Sequence, residues 1–310
     1  MPRTVKVACT QFHAGEDPEL NAETAERLVR AAAAAGAQII VLQELFERPY
    51  WANVHSQDYY SWASPLEGCR LVERFAALAR ELRVVLPVSF FERENNVYFN
   101  SVAMVDADGS VMGVYRKSHI PDGPGYRCME KYYVSPGDTG FRVYDTAHGR
   151  VGIAVCWDQW FPETARALAL QGAEVIVLPS AIGSENHEDP QKDSYPHWVR
   201  VQQGHAAANM TPLVVSNRYG QERIQDSPPQ TYYGGSFIAG PTGEILAQVG
   251  VRELSNGNPH PAPPLEEGFA LASLDLDAIA AQRVAWGLFR DRRPELYGPL
   301  TTLSGGRPVR

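Results

Sequence analysis

Two runs, Gly36-Ala37-Gln38-Ile39-Ile40-Val41-Leu42 and Gly172-Ala173-Glu174-Val175-Ile176-Val177-Leu178, share one grammar, and it restricts the fold more than any other feature. Each sets a glycine, suited to the left-handed residue that closes a helix, just before an unbroken apolar stretch. A strand with one wet face alternates apolar and polar residues, whereas an unbroken apolar stretch marks a strand covered on both faces. Double cover requires helices on one side of the sheet and a further layer on the other. Its recurrence predicts two similar halves, each layering helices on a mixed sheet, fused into one pseudo-symmetric α/β domain over 1–310.

The rest of the chain fits that frame. Val5 to Thr10 reads as a strand, Glu19 to Ala35 as an alanine-rich amphipathic helix, and Leu71 to Leu82 as another helix. Val84 to Phe91, Tyr98 to Val105 and Val111 to Tyr115 read as strands, with Asp106-Ala107-Asp108-Gly109 as the hairpin turn between the last two. Later come a helix from Tyr195 to Asn209 and strands at Leu213 to Ser216, Ser236 to Ala239, Ile245 to Val249 and Phe269 to Leu274. No Ser/Gly-rich linker divides the halves. Leu254 to Pro264, rich in proline and asparagine, reads as a surface loop, and the arginine- and proline-rich tail 286–310 as an extension packing on another surface.

Composition removes several functions. A formal net charge of -8 argues against a nucleic-acid groove or an anionic membrane as partner. The first residues lack a charged-then-apolar leader pattern and no apolar run reaches spanning length, so a cytoplasmic protein is expected. The four cysteines, Cys9, Cys69, Cys128 and Cys156, show no C-x-x-C spacing, so neither a zinc site nor a disulfide framework is expected.

Cys156 follows the strand-like Val151 to Val155 and precedes the helix-like run that opens at Pro162-Glu163. At such a turn, backbone N–H groups and the helix dipole would lower the thiol's pKa and favour the thiolate; a small buried residue ending a strand fits the same letters. Glu44 stands at the carboxyl end of the buried strand Ile39 to Leu42, where α/β sheets present functional groups, and reads either as a general base in an apolar setting or as a solvated glutamate. Lys117 closes another strand and reads as catalytic or as surface. His119, His197 and His205 read as packing or surface residues, since nothing near Cys156 carries a papain-like signature. Asp158 and Glu163 read as helix caps, and Gly240 to Gly243 as a turn lacking the lysine of a phosphate loop.

Taken together, Leu42-Gln43-Glu44-Leu45-Phe46, Tyr115-Arg116-Lys117-Ser118-His119-Ile120-Pro121 and Ile153-Ala154-Val155-Cys156-Trp157-Asp158 resemble the Glu-Lys-Cys motifs of the nitrilase superfamily of carbon-nitrogen hydrolases. The runs Lys117 to Tyr126, Pro136 to Phe141, Cys156 to Glu163, Ala181 to Glu185, Gln203 to His205, Ser236 to Glu244 and Trp286 to Tyr297 extend the likeness along nearly the whole chain, toward the subgroup that cleaves N-carbamoyl diamines. The resemblance implies a four-layer α-β-β-α sandwich with internal pseudo-two-fold symmetry. It implies Cys156 as nucleophile, Glu44 as base, Lys117 as oxyanion donor and Glu130 as a second glutamate near the thiol, with no metal or organic cofactor. Trp157, Tyr126 and Glu185 are then expected at a small-molecule substrate. The resemblance further implies a homodimer or larger homo-oligomer, with 286–310 on a neighbouring subunit.

Two stretches depart from the family pattern: Arg127-Cys128-Met129 separates Tyr126 from Glu130, and Tyr195, Pro196 and Val199 stand where charged residues are usual. They leave the substrate open. A cationic tail would be received by Glu185, Glu188 or Asp189, and a carboxylate tail by Arg127 or Arg200. Another N-carbamoyl compound, a small amide or nitrile, and a non-catalytic scaffold of the same fold are the alternatives.

Overall fold

The structure is a computed structural model and describes residues 3–123, 128–183, 194–250 and 266–306. In the first half, β1 (Thr4–Gln11), α1 (Pro18–Ala34), β2 (Ile39–Val41), α2 (Arg70–Leu82), β3 (Leu86–Glu94), β4 (Val97–Val105) and β5 (Val111–Arg116) follow in order. A small hairpin of β6 (Asp122–Gly123) and β7 (Cys128–Met129) leads into a single turn, α3 (Glu130–Tyr133). The second half contains β8 (Arg142–Thr146), β9 (Gly149–Ile153), α4 (Pro162–Leu170), β10 (Val175–Ser180), α5 (Tyr195–Asn209) and β11 (Leu213–Asn217). A hairpin of β12 (Tyr219–Glu222) and β13 (Gln230–Tyr233) precedes β14 (Phe237–Ala239) and β15 (Ile245–Gln248). β16 (Gly268–Asp275) then returns to pair with β1, and α6 (Leu276–Trp286) follows it.

One sheet has the order β16-β1-β2 and continues, through a parallel bridge between Ile39 and Val85, into β3-β4-β5. The other has the order β8-β9-β10-β11-β14-β15. Counted from β16, successive pairings are antiparallel, parallel, parallel, antiparallel and antiparallel. Counted from β8, they follow the same pattern. The two sheets therefore share one topology, and β2 and β10, which carry the echoed runs, hold equivalent places in it.

Side-chain alternation assembles the layers. Ile39 and Val41 of β2 join Val175 and Val177 of β10 in the core between the sheets, with Val5 and Val7 of β1 and Val151 and Ile153 of β9. Ile40 and Leu42 point the other way, onto Leu28 and Val29 of α1 and Phe75 and Leu78 of α2. Ile176 and Leu178 likewise meet Leu168 of α4 and Trp198 of α5. Both faces of each central strand are dry, as the unbroken apolar runs require.

Asp17 caps α1, its carboxylate accepting from the N–H groups of Glu19 and Leu20, and Pro18 fills the first turn. The echoed glycines end α1 and α4 with φ of +96° at Gly36 and +88° at Gly172. A side chain at either position would be strained.

Several elements lie outside the sequence expectation, among them β8, the β12–β13 hairpin and α6, with the small β6–β7 hairpin and the single turn α3. β8 buries one side chain, Tyr144, and so shows almost no apolar pattern. α6 does carry helix signals, since Asp275 accepts from the N–H of Ala278 and Gly287 closes the helix at φ +72°. The tail read from Trp286 onward thus begins at the end of a helix and continues as short turns, Pro294–Leu296 and Gly298–Thr301. The loop Leu254 to Pro264 falls outside the described residues.

Candidate active site

Glu44 leaves β2 with its backbone held from several sides. Its N–H donates to the Ser180 carbonyl at 3.3 Å, and Ser180 is its counterpart in the other half, each standing two residues beyond its echoed run. Leu45 then turns the chain in the left-handed region, φ +47°. The fully buried Arg218 donates to the carbonyls of Glu44 at 2.7 Å and Leu45 at 2.9 Å, while its other terminal nitrogen grips both oxygens of Glu222 at 2.8 and 2.7 Å. Glu222 also accepts the N–H of Tyr50 at 2.8 Å. A buried guanidinium-carboxylate pair, expensive alone, is here satisfied by backbone on both ends.

Lys117 directly follows β5. Its N–H donates to the Asn100 carbonyl, and its own carbonyl accepts from Gly137, both at 2.8 Å. Gly137 sits so close to β5 that a Cβ there would lie 2.0 Å from the Arg116 carbonyl oxygen, which explains the glycine of the Pro136 to Phe141 run. The Lys117 ammonium lies 2.8 Å from Glu44 Oε1, and 3.1 and 2.7 Å from Glu130 Oε1 and Oε2. Asn100 Nδ2 lies 2.6 Å from Glu44 Oε1 and 2.6 Å from Glu130 Oε1. All four side chains are buried. Burial opposes the Lys117 charge, but Glu130 and Glu44 outweigh it and hold the ammonium well above the ordinary lysine value. Burial raises Glu130 above the usual carboxylate value, and Lys117 offsets this only in part while Glu44 adds to it.

Cys156 ends the β9 segment at φ +43°, a left-handed conformation that an L-residue holds only where its surroundings enforce it. It opens a five-residue 3-10 turn, Cys156–Trp160; the regular helix α4 starts only at Pro162. The expectation of a thiol acidified by a helix terminus is therefore corrected. Burial, then the charge of Glu44, push the thiol well above its ordinary value, and Lys117 pulls it back only partly; the Ala181 carbonyl, 3.9 Å from Sγ, is placed to accept the S–H. At neutral pH the sulfur keeps its proton and needs a base. Among the described residues, none donates to the buried Glu44 Oε2, which leaves this oxygen of the carboxylate to receive a proton.

Asp158, read as a cap, ties the Cys156 and Lys117 segments together. One oxygen accepts from the Val155 N–H at 3.0 Å and the Tyr115 hydroxyl at 2.7 Å; the other takes the His119 N–H at 2.9 Å and meets His119 Nδ1 at 2.7 Å. The His119 ring stacks on Phe161 with centroids 3.7 Å apart. His205 bonds the Gln159 carbonyl at 2.8 Å and burial lowers its pKa, so it is a neutral core residue. Glu163 is exposed in the first turn of α4.

A cavity of about 280 Å³ opens onto Cys156, walled by Tyr50, Trp157, Trp160 and Tyr232 with Asn53 and His197. Trp157, expected at the substrate, lines this cavity beside Cys156. Tyr126 and Glu185 lie outside the described residues, as do Arg127, Glu188 and Asp189. Arg200 is exposed on α5 and does not line the cavity. Glu44, Lys117, Glu130 and Cys156, far apart in sequence, are brought into one site. Asn100 and Arg218 were not anticipated: Asn100 stands beside Ser101 in the middle of an otherwise apolar strand, and Arg218 follows Ser216-Asn217 at the end of one, so each sits in a short polar break rather than a motif.

Two facing α/β layers with a buried Glu-Lys-Cys set define a class, and the chain belongs to the carbon-nitrogen hydrolase family, whose pattern matches residues 6–282. Within it, the chain is 52% identical to N-carbamoylputrescine amidase of Solanum lycopersicum, covering 99% of this chain and 98% of that protein. It is 46% identical to citrullinase of Francisella tularensis subsp. tularensis, covering 94% and 96%. A solved carbon-nitrogen hydrolase from Helicobacter pylori G27 superposes with a TM-score of 0.85 at 34% identity, covering 97% of this chain and 99% of that one.

Proposed function

We propose that this chain hydrolyses N-carbamoylputrescine to putrescine, carbon dioxide and ammonia, a step of polyamine biosynthesis, through an acyl intermediate on Cys156. The observation that carries the chemistry is the buried cluster: a buried thiol close to a carboxylate whose Oε2 has no donor among the described residues, and an ammonium fixed between two glutamates. Glu44 Oε2 takes the thiol proton and Sγ attacks the carbamoyl carbon. The Lys117 ammonium and the backbone N–H of Trp157 stabilise the oxyanion. Collapse expels the amine, which leaves with the proton held by Glu44, and the carbamoyl group stays on sulfur. Glu44 then deprotonates a water that attacks this thioester; the carbamate released breaks down to carbon dioxide and ammonia, and the thiol recovers its proton. Glu130 and Lys117 share charge throughout, so no bare ion faces the dry site.

The likeness to N-carbamoylputrescine amidases over nearly the full chain supports the substrate. The aromatic cavity suits an apolar stem, and Glu185 is the carboxylate we assign to the distal amine. Hydrolysis of citrulline is the second reading, favoured by the citrullinase relative; it has the same ureido head and adds an α-carboxylate. Ammonia release across N-carbamoylputrescine, citrulline and N-carbamoyl-β-alanine separates them. The proposal expects kcat/KM for N-carbamoylputrescine to exceed that for N-carbamoyl-β-alanine by about 10²-fold, because a second carboxylate beside Glu185 is repelled. Faster turnover of either carboxylate-bearing compound removes the substrate assignment and leaves the Cys156 chemistry.

Self-association into a dimer or larger oligomer belongs to the same proposal. Val284, Trp286, Leu296, Leu300 and Leu303 are all exposed along α6 and the segment after it, more apolar surface than a short stretch usually leaves wet. Light scattering that finds a monomer contradicts it. A cytoplasmic location is supported by the four cysteines, all free thiols; an oxidised pair in the native protein would speak against it.

A further inference from the structure

We infer that Asn100 is a positioning residue: it decides which oxygen of Glu44 works as the base and lets the Glu44 and Glu130 carboxylates share one dry site. The inference rests on the proposed role of Glu44 toward Cys156. Asn100 lies on β4, 1% exposed, opposite Phe91 in the ladder with β3, and its carbonyl holds the Lys117 N–H at 2.8 Å. Its backbone position is thus set independently of its side chain.

The amide nitrogen spends its two N–H groups on Glu44 Oε1 and Glu130 Oε1, each at 2.6 Å. Turned over, the amide would aim its oxygen at two carboxylates, so this orientation is dictated by charge. Lys117 gives Glu44 Oε1 a second donor at 2.8 Å. Among the described residues, Oε1 is therefore occupied twice and Oε2 not at all, so Oε2 is the oxygen the carboxylate presents to an incoming proton. Lys117 alone would leave the carboxylate free to swing about a single contact. It would also leave one cation between two anions at short range, where like charges resist joint ionisation. Among the described residues, the other ionisable groups facing the pair are the Cys156 and Cys128 thiols, the Tyr50 phenol and Arg218, and Arg218 is already engaged by Glu222. Among the described residues, Asn100 is the neutral donor that both carboxylates share.

The test compares kcat, KM and their pH profiles on N-carbamoylputrescine for the full-length wild type, Asn100→Leu, Asn100→Ala and Glu44→Gln, with alkylation of Cys156 by iodoacetamide followed over the same pH range. Both Asn100 variants are expected to lose about ten- to a hundredfold in kcat with a smaller change in KM, the loss of charge-assisted bonds at the base. The acid limb of turnover, and of alkylation with it, moves to higher pH, because the Glu130 carboxylate, already raised by burial, loses a donor that favours its charged form. If the leucine variant fails to fold, the alanine variant, which only removes atoms, carries the same limb test. An acid limb unchanged from wild type in a folded variant, whatever the drop in amplitude, overturns the inference. Failure of the underlying reading shows elsewhere: Glu44→Gln would then keep the wild-type rate and profile.

Discussion

Replacing Asp158 by asparagine changes one oxygen to an NH2 and tests whether this buried carboxylate positions the nucleophile. If the NH2 takes the place of Oδ2, the Tyr115 hydroxyl can turn to Ser118 Oγ, 3.0 Å away, but the Val155 N–H is left facing another donor. If it takes the place of Oδ1, the His119 ring can switch tautomer, but the His119 N–H is stranded. Either way one buried backbone N–H loses its acceptor, which costs about 1–3 kcal/mol, and the surviving bonds lose charge assistance, about 1 kcal/mol more. The sum, about 2–4 kcal/mol, corresponds to a Tm lower by roughly 3–6 °C for a chain of this size, at about 2.1 cal/mol/K of unfolding entropy per residue. Val155 directly precedes Cys156, and His119 stands two residues beyond Lys117, so kcat should fall by about tenfold or more while KM moves less. A calorimetric or circular-dichroism melt beside steady-state kinetics decides it. A Tm within about one degree of wild type with unchanged kcat would refute the argument.

Cys156→Ala should abolish turnover while the circular dichroism spectrum stays native; activity within about tenfold of wild type removes the nucleophile assignment. Glu44→Gln and Lys117→Ala should each lower kcat by about 10²-fold or more, and a mild loss at either means its role is misread. Arg218→Met leaves the Glu222 carboxylate buried without its cation, so urea unfolding should show about 3–5 kcal/mol of lost stability, and a loss below about 1 kcal/mol would mean that water reaches the pair.

How much was legible in the sequence follows from what each element is made of. The central strands announced themselves because both faces are dry, so every residue from Ile39 to Leu42 and from Val175 to Leu178 had to be apolar. Their echo carried the symmetry of the sheets. β8 and the β12–β13 hairpin were not legible, because each strand buries only one or two side chains, Tyr144 in β8, Glu222 in β12 and Tyr232 and Tyr233 in β13, too few to make an apolar pattern. At the site, Glu44, Lys117 and Cys156 each follow a strand, a place that marks candidates but also suits surface residues; the resemblance of the three motifs, not any one residue, singled them out. The thiol was misjudged for a physical reason. Its neighbours within a few residues suggested a helix terminus, whereas its pKa is set by burial and by Glu44, distant in sequence. Asn100 and Arg218 act through contacts 56 and 174 residues away, which no local pattern encodes.

The central claim is that Cys156 carries the carbamoyl group during turnover, and it is tested most directly by acid-quenching the enzyme at steady state with N-carbamoylputrescine and mapping the modified peptide by mass spectrometry. Cys128 lines the same cavity, so the map has a built-in competitor. The account predicts one acyl adduct, on the peptide containing Cys156, absent from Cys156→Ala. Turnover by Cys156→Ala, or an adduct on Cys128 with Cys156 unmodified, would contradict it.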